Sequence, residues 1–258
     1  MERIVGDLII KNNNIVAKTN FMPQDIFLYE VIRVQRSIPI FLKEHYDRFV
    51  KSHNGKCLDC NFENFQKCVS TLIKANNITD CNIKVLDDDR DLYFIFIKSH
   101  YPDAETHKRG IDVLTANLMR SNPNKKQVNK ELRSTSDKLI SEHNVFEVLL
   151  VSDNQEITEG SRSNVFFIKD NIIYTAPDDK VLIGVTRNKV IEVINSLGIE
   201  IRYTALKKDE LPYVDGAFLT GTSIDVFKIK SIDGRGCDRS AALIEKIAAG
   251  FLMLGHGL

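Results

Sequence analysis

The chain has 258 residues, with 35 Lys and Arg against 35 Asp and Glu and a formal net charge of zero. That length gives one large domain or two modest ones, with a core that needs neither metal nor disulfide. Hydrophobic residues make up 43% and charged residues 27%, which excludes a disordered chain. Neutrality excludes an overall electrostatic pull on nucleic acid or anionic membrane. No apolar run approaches the roughly 20 residues of a membrane span. Met1–Asp7 lacks the apolar core and cleavage site of a signal peptide, so a cytoplasmic location is expected. Five cysteines, an odd count, fit reduced thiols. Cys57-x-x-Cys60, with His53 nearby, is half of a zinc pattern, and the second pair is missing.

Strands dominate the start. Ile4–Ile10 and Ile15–Ala17 read as a hairpin about Asn12-Asn13-Asn14, and Phe27–Val34 with Ile38–Leu42 as two more strands. Leu42, His45, Tyr46, Phe49 and Val50 then recur at helical spacing, with Gly55 placed to stop the helix. A second helix is predicted over Phe62–Lys74, followed by strands at Cys81–Leu86 and Leu92–Lys98. The charged loop Asp87-Asp88-Asp89-Arg90-Asp91 lacks the Gly and distal Glu of a calcium loop and reads as a solvated turn. Residues 99–125 are polar and loop-rich around one strand, Ile111–Leu118.

Beyond Pro123 the pattern predicts a helix to about Glu142, with Lys125-Lys126 at its start. Strands follow at Val145–Val151, Asn164–Ile168 and Ile172–Tyr174. Thr186–Ser196 reads as an amphipathic helix closed by Gly198. Strands at Ile199–Tyr203, Gly216–Leu219 and Val226–Ile232 precede a last helix from about Arg239 to Leu254, with Ala241, Ile244, Ile247, Ala248, Phe251 and Leu252 on its apolar face. The order predicts an α+β fold in two halves: an N-terminal domain over 1–118, a linker over 119–125, and a C-terminal domain over 126–258.

Several residues stand out chemically. Gly184-Val185-Thr186-Arg187 opens a helix, where free amides and the Thr186 hydroxyl suit a phosphate. Thr220-Gly221-Thr222-Ser223 is a small, hydroxyl-rich turn after a buried strand. An ordinary N-cap and an ordinary turn would explain each alone. Glu159, followed by Gly160-Ser161-Arg162-Ser163-Asn164, is an unusually polar lead into the strand Val165–Ile168. Spacing does not distinguish Lys125 from Lys126 as a reactive lysine, and both are solvated by default.

In this order the pieces resemble the class IV aminotransferases, the fold-type IV enzymes that use pyridoxal phosphate. The likeness runs over nearly the whole chain. It begins with Tyr29-Glu30-Val31, His45-Tyr46-Asp47-Arg48 and Lys126-Gln127-Val128-Asn129. Ile157-Thr158-Glu159-Gly160, Ser163-Asn164-Val165-Phe166, Leu182–Arg187 and Thr220–Ser223 complete it.

The resemblance implies a smaller N-terminal and a larger C-terminal domain, with pyridoxal 5'-phosphate in the cleft between them and a homodimer. It implies that Lys126 forms the Schiff base and that Glu159 faces the pyridine nitrogen. Arg48, Val185, Thr186 and Thr222 would hold the phosphate, Leu182 would pack on the ring, and Asn164 would complete the cofactor site. Tyr29, Lys98, Arg162 and Ser223 would fall on the substrate side. Lys126 is favoured over Lys125 because Asn129 lies three residues on and Glu159 33 positions on.

The substrate half departs from the family's patterns. Lys98-Ser99-His100-Tyr101-Pro102-Asp103 lacks the Arg-x-His carboxylate trap of the D-amino-acid enzymes. Lys130 stands where branched-chain enzymes carry a tyrosine, Ile26 and Phe27 replace glycines, and Arg162 replaces a smaller residue. The implied activity is transamination between a branched-chain or other apolar L-amino acid and a 2-oxo acid. The alternatives are 4-amino-4-deoxychorismate lyase chemistry, releasing pyruvate and 4-aminobenzoate, and a non-catalytic pyridoxal-phosphate-binding relative.

Overall fold

The computed structural model describes residues 3–25, 27–53, 61–98 and 101–256. Cys57, Cys60, Gly55, Ser99 and His100 therefore lie outside the described residues, and the zinc and helix-stop readings with them.

The chain divides into two compact units, Met1–His100 with Lys125–Val128, and Tyr101–Asn124 with Asn129–Leu258. The first holds β1 (Ile4–Lys11), β2 (Asn14–Ala17), β3 (Leu28–Gln35), β4 (Ile38–Pro39), α1 (Leu42–Ser52), α2 (Phe62–Asn76), β5 (Cys81–Asp87) and β6 (Leu92–Ile97). Its sheet runs in the order β2-β1-β6-β5-β3-β4, antiparallel throughout. Strand alternation sends Ile32, Val34, Ile83, Val85, Phe94 and Phe96 into one core with Phe49, Phe65, Val69 and Leu72 of the two helices. The opposite face gathers Ile9, Phe27, Leu86, Tyr93 and Ile95, with Tyr29, Val31 and Val128 packed against them.

The second unit holds α3 (Ala104–Arg109), β7 (Ile111–Asn117), α4 (Lys130–His143), β8 (Glu147–Val151), β9 (Ile157–Gly160), β10 (Asn164–Lys169), β11 (Ile172–Thr175), α5 (Val185–Ser196), β12 (Ile201–Tyr203), β13 (Gly216–Gly221), β14 (Asp225–Ile232), β15 (Arg235–Gly236) and α6 (Ala241–His256). Its nine-stranded sheet runs β12-β11-β10-β13-β14-β7-β8-β9, with β15 on β14. Three pairings are parallel: β11 with β12, β14 with β7, and β7 with β8.

The division differs from the one read in the sequence. β7 belongs to the second sheet, because it is zipped between β14 and β8. Lys125–Val128 belongs to the first unit and is not helical. The Tyr29 amide donates to the Lys126 carbonyl at 3.0 Å, the Val128 amide donates to Phe27, and Leu28 bridges Gln127. The helix starts only at Lys130, where the Asn129 side chain caps it by accepting from the Leu132 amide. Three smaller differences follow from capping and packing. Ile38–Pro39 is a two-residue strand that yields at once to α1, and α3 opens on an Asp103 cap within the stretch read as loop. Leu252 is exposed, while Ile244, Ile247 and Phe251 are buried. No helix of the described residues is long and apolar enough to cross a membrane.

Candidate active site

In the first unit β3 presents Tyr29 and Glu30 to opposite faces. Glu30 is fully buried on the helix side, where α1 brings His45 and Arg48 to it one turn apart. Arg48 donates from Nε to one carboxylate oxygen at 2.8 Å and from Nη2 to the other at 2.5 Å. His45 Nδ1 lies 3.1 Å from the second oxygen. Burial pushes the Glu30 carboxyl up, but Arg48 and His45 outweigh it and hold it well below the usual carboxylate range. Burial pushes the His45 imidazole down, opposed by Glu30 and reinforced by the charges of Arg48 and Lys126.

On the other face, the Lys126 ammonium sits 5.1 Å from the centre of the Tyr29 ring and the buried Lys84 ammonium 4.9 Å from it. Such contacts favour cations against the ring face. The first unit thus brings Tyr29 and Lys126 together and fixes Arg48 on Glu30. Lys98 is exposed, and its amide donates to the Arg3 carbonyl.

In the second unit Glu159, near the end of β9, is a buried carboxylate held on both oxygens. Arg120 Nε donates to Oε1 at 2.8 Å, and the Leu182 amide donates to Oε2 at 3.1 Å. Asn164, at the start of β10, directs its amide nitrogen to the same Oε2 at 3.4 Å and to the Leu182 carbonyl at 2.8 Å. Leu182 therefore serves the cluster through its backbone, with its side chain half-buried. Asn164 is register-paired with Thr220 of β13.

Three residues beyond Leu182, α5 begins at Val185 with no side chain capping its N-terminus, leaving the first-turn amides and the buried Thr186 as donors. A Cβ on Gly184 would stand 2.2 Å from Asn164 Oδ1, so only glycine lets this turn lie against Asn164. Thr222 and Ser223 are half-buried in the turn after β13. Arg162 is exposed and ion-paired with Asp137 of α4.

The polar run after Glu159 has a physical cause that sequence reading missed. Glu147 of β8 is buried and accepts from the Ser161 hydroxyl at 2.6 Å, the Ser163 hydroxyl at 3.1 Å and the Arg162 amide at 3.2 Å. A lone acid within the apolar run Val145–Val151 was the available signal, since a buried carboxylate requires donors. Arg120, which also donates to the Ser161 carbonyl at 3.2 Å, sits in a loop that carries no such signal.

The model of the amino-transferase class IV family matches residues 27–232. The chain belongs to this family. A protein of Rickettsia conorii named as a probable branched-chain-amino-acid aminotransferase is 30% identical over 210 residues, covering 74% of this chain and 72% of its own. A D-alanine aminotransferase of Bacillus licheniformis is 28% identical over 232 residues, covering 81% and 79%. In fold, the chain is similar to the branched-chain amino acid aminotransferase of Escherichia coli, with a TM-score of 0.87 at 22% identity over 98% of this chain and 96% of that one. The branched-chain aminotransferase of Thermoproteus uzoniensis, in its structure with norvaline, has a TM-score of 0.86 at 20% identity, over 98% and 96%. The family expectation drawn from the motifs holds, as does the two-domain α+β fold.

Proposed function

We propose that this class IV aminotransferase moves an amino group between a branched-chain or other apolar L-amino acid and a 2-oxo acid, with pyridoxal 5'-phosphate as carrier and as a homodimer. The observation that carries the reading is Glu159: a buried carboxylate with three nitrogen donors around it, beside an uncapped helix start. That arrangement fits the cofactor's chemistry, because a phosphate needs unspent amides and a pyridine nitrogen needs a fixed anion. The buried Thr220 hydroxyl, without a hydrogen-bond partner among the described residues, adds an unused polar atom there. The substrate class rests on the names of the relatives.

When bound, pyridoxal phosphate supplies an electron-poor ring that withdraws charge from the substrate Cα and holds the amino group between half-reactions. Lys126 would hold the cofactor covalently until the substrate amine displaces it. The freed Nζ amine would then take the proton from the substrate Cα and deliver it to the cofactor carbon that the lysine had held. Glu159 accepts a hydrogen bond from the protonated pyridine nitrogen and keeps the proton there. Arg48 offers donors to phosphate from a fork already oriented by Glu30, and Val185, Thr186 and Thr222 add amides and hydroxyls. Leu182 and Asn164 fix the Glu159 carboxylate. Tyr29, Lys98, Arg162 and Ser223 orient the substrate.

The test begins with the visible spectrum before and after borohydride, with peptide mapping of the reduced adduct. A yellow band lost on reduction and an adduct on Lys126 is the expected result; an adduct on Lys125 moves the role one residue. Amino transfer is then read on L-valine, L-leucine, D-alanine and 4-amino-4-deoxychorismate. Release of 4-aminobenzoate in place of transfer would replace the aminotransferase reading with the lyase one. Cofactor binding with no reaction would leave only a binding protein.

A further inference from the structure

Thr220 is 1% exposed, and its hydroxyl makes no hydrogen bond among the described residues. Buried hydroxyls are ordinarily paired, and an orphan of this kind asks for a partner. Along β13, Ala217 and Leu219 enter the core shared with Val165 and Phe167. Alternation therefore turns Phe218 and Thr220 to the opposite face, where Phe218 stacks on Phe166 at 4.9 Å.

On that face Thr220 stands opposite Asn164. The Asn164 amide nitrogen has both hydrogens directed elsewhere, to Leu182 and Glu159. It has none left to give to Thr220. The hydroxyl thus lies at the head of the Gly221-Thr222-Ser223 turn, on the face that also carries Asn164 and its Glu159 clasp. Nothing among the described residues consumes it.

We propose that Thr220 is a further cofactor-contacting residue, whose hydroxyl donates to an anionic oxygen of pyridoxal phosphate and is left unpaired until the cofactor arrives. The proposal rests on the reading of the cofactor given above. It also explains why a threonine, and not a valine of the same shape, stands at a position where no described neighbour satisfies its hydroxyl.

The test compares wild type, Thr220→Val and Thr220→Ser as full-length chains, freed of cofactor and then titrated with pyridoxal phosphate by absorbance. Melting of each cofactor-free chain is followed alongside. A hydrogen bond to a charged oxygen corresponds to about a tenfold or greater change in dissociation constant. Thr220→Val is expected to bind at least about tenfold more weakly while its cofactor-free form melts at or above the wild-type temperature. Thr220→Ser is expected to keep wild-type affinity within about twofold, since it retains the donor. Wild-type affinity in Thr220→Val would overturn the proposal and leave the cofactor reading standing. So would a cofactor-free Thr220→Val that melts well below wild type, because the hydroxyl would then serve the fold. A wild-type chain that takes up no pyridoxal phosphate would overturn the proposal together with the reading beneath it.

Discussion

Arg48 and Glu30 form a two-point ion pair across α1 and β3, each carboxylate oxygen taking one guanidinium nitrogen at 2.8 and 2.5 Å. The pair does more than fold the first unit: it fixes the plane of the arginine fork before any ligand is present. Glu30→Gln would leave Arg48 with an uncompensated charge in a largely buried setting, a loss of about 3–5 kcal/mol in unfolding free energy at pH 7.

The pH dependence of that pair has a defined sign. The Glu30 carboxyl is held below its ordinary value of 4.5 in the folded protein. Its contribution is therefore fully present above that value and is lost as pH falls through the folded one. The His45 imidazole is held below its ordinary 6.5 by burial, so its contribution is present above 6.5 and starts to fall at milder acidity. Denaturant unfolding between pH 5 and 3 should show a steeper loss for wild type than for Glu30→Gln. Parallel curves would remove Glu30 from the acid response.

Glu147 should prove a stability residue for the turn that carries Glu159 and Asn164. Glu147→Gln keeps one acceptor oxygen but sets an amide against the Ser161 and Ser163 hydroxyls, at an expected loss of about 2–3 kcal/mol. Ser161→Ala removes one donor and should cost about 1 kcal/mol. Hydrogen exchange at the Arg162 amide is expected to quicken in Glu147→Gln, and unchanged protection would show that the turn holds without the carboxylate.

Gly184→Ala tests the contact with Asn164. The Gly184 φ of −69° suits any residue, so the penalty comes from packing alone, a Cβ at 2.2 Å from Asn164 Oδ1. Displacing Asn164 loosens its bonds to Leu182 and Glu159. About 1–3 kcal/mol of stability should be lost, with weaker pyridoxal phosphate binding in an absorbance titration. Wild-type values for both would mean that Asn164 gives way freely.

Cys68, Cys81 and Cys237 are buried thiols and should be unreactive in the folded chain. Burial, with Asp238 and Asp112 adding to it, pushes the Cys237 thiol up to about 12. Burial also raises the Cys68 and Cys81 thiols. Because the thiolate is the reacting form, mass mapping after alkylation at pH 8 should find all three unmodified until denaturant is added. Labelling of Cys237 in the native chain would show that β14 and β15 open locally.

Most elements were legible because their periodicity is strong: β5 and β6 as apolar runs, α2 and α5 as amphipathic repeats. The errors cluster where a single side chain overrides a pattern. Asn129 delays α4 by capping it, so the residues from Lys125 pair with β3 where helix was expected. The Asp87–Asp91 turn was expected to be solvated, yet Asp87 and Asp88 are buried. Asp87 meets His53 at 3.0 Å, and Asp88 accepts from the Arg90 and Asp91 amides. In the site, Glu159, Asn164 and the α5 start were readable from motif order. Arg120 was not, since a loop arginine acquires meaning only through a neighbour distant in sequence. Thr220 was legible as part of the Thr220–Ser223 turn but not as a buried hydroxyl without a partner among the described residues.

Lys125–Val128 leaves the second unit's path, pairs with Phe27–Tyr29 and returns. Neither unit is thus one uninterrupted stretch of chain. A single genetic crossover cannot exchange either unit between two relatives as a self-contained cassette: a break near residue 100 gives β3 a foreign neighbour, and one after 128 carries β7 away from β8. Exchanging either unit whole requires three breaks, after residues 100, 124 and 128, two of them flanking the segment that holds Lys126.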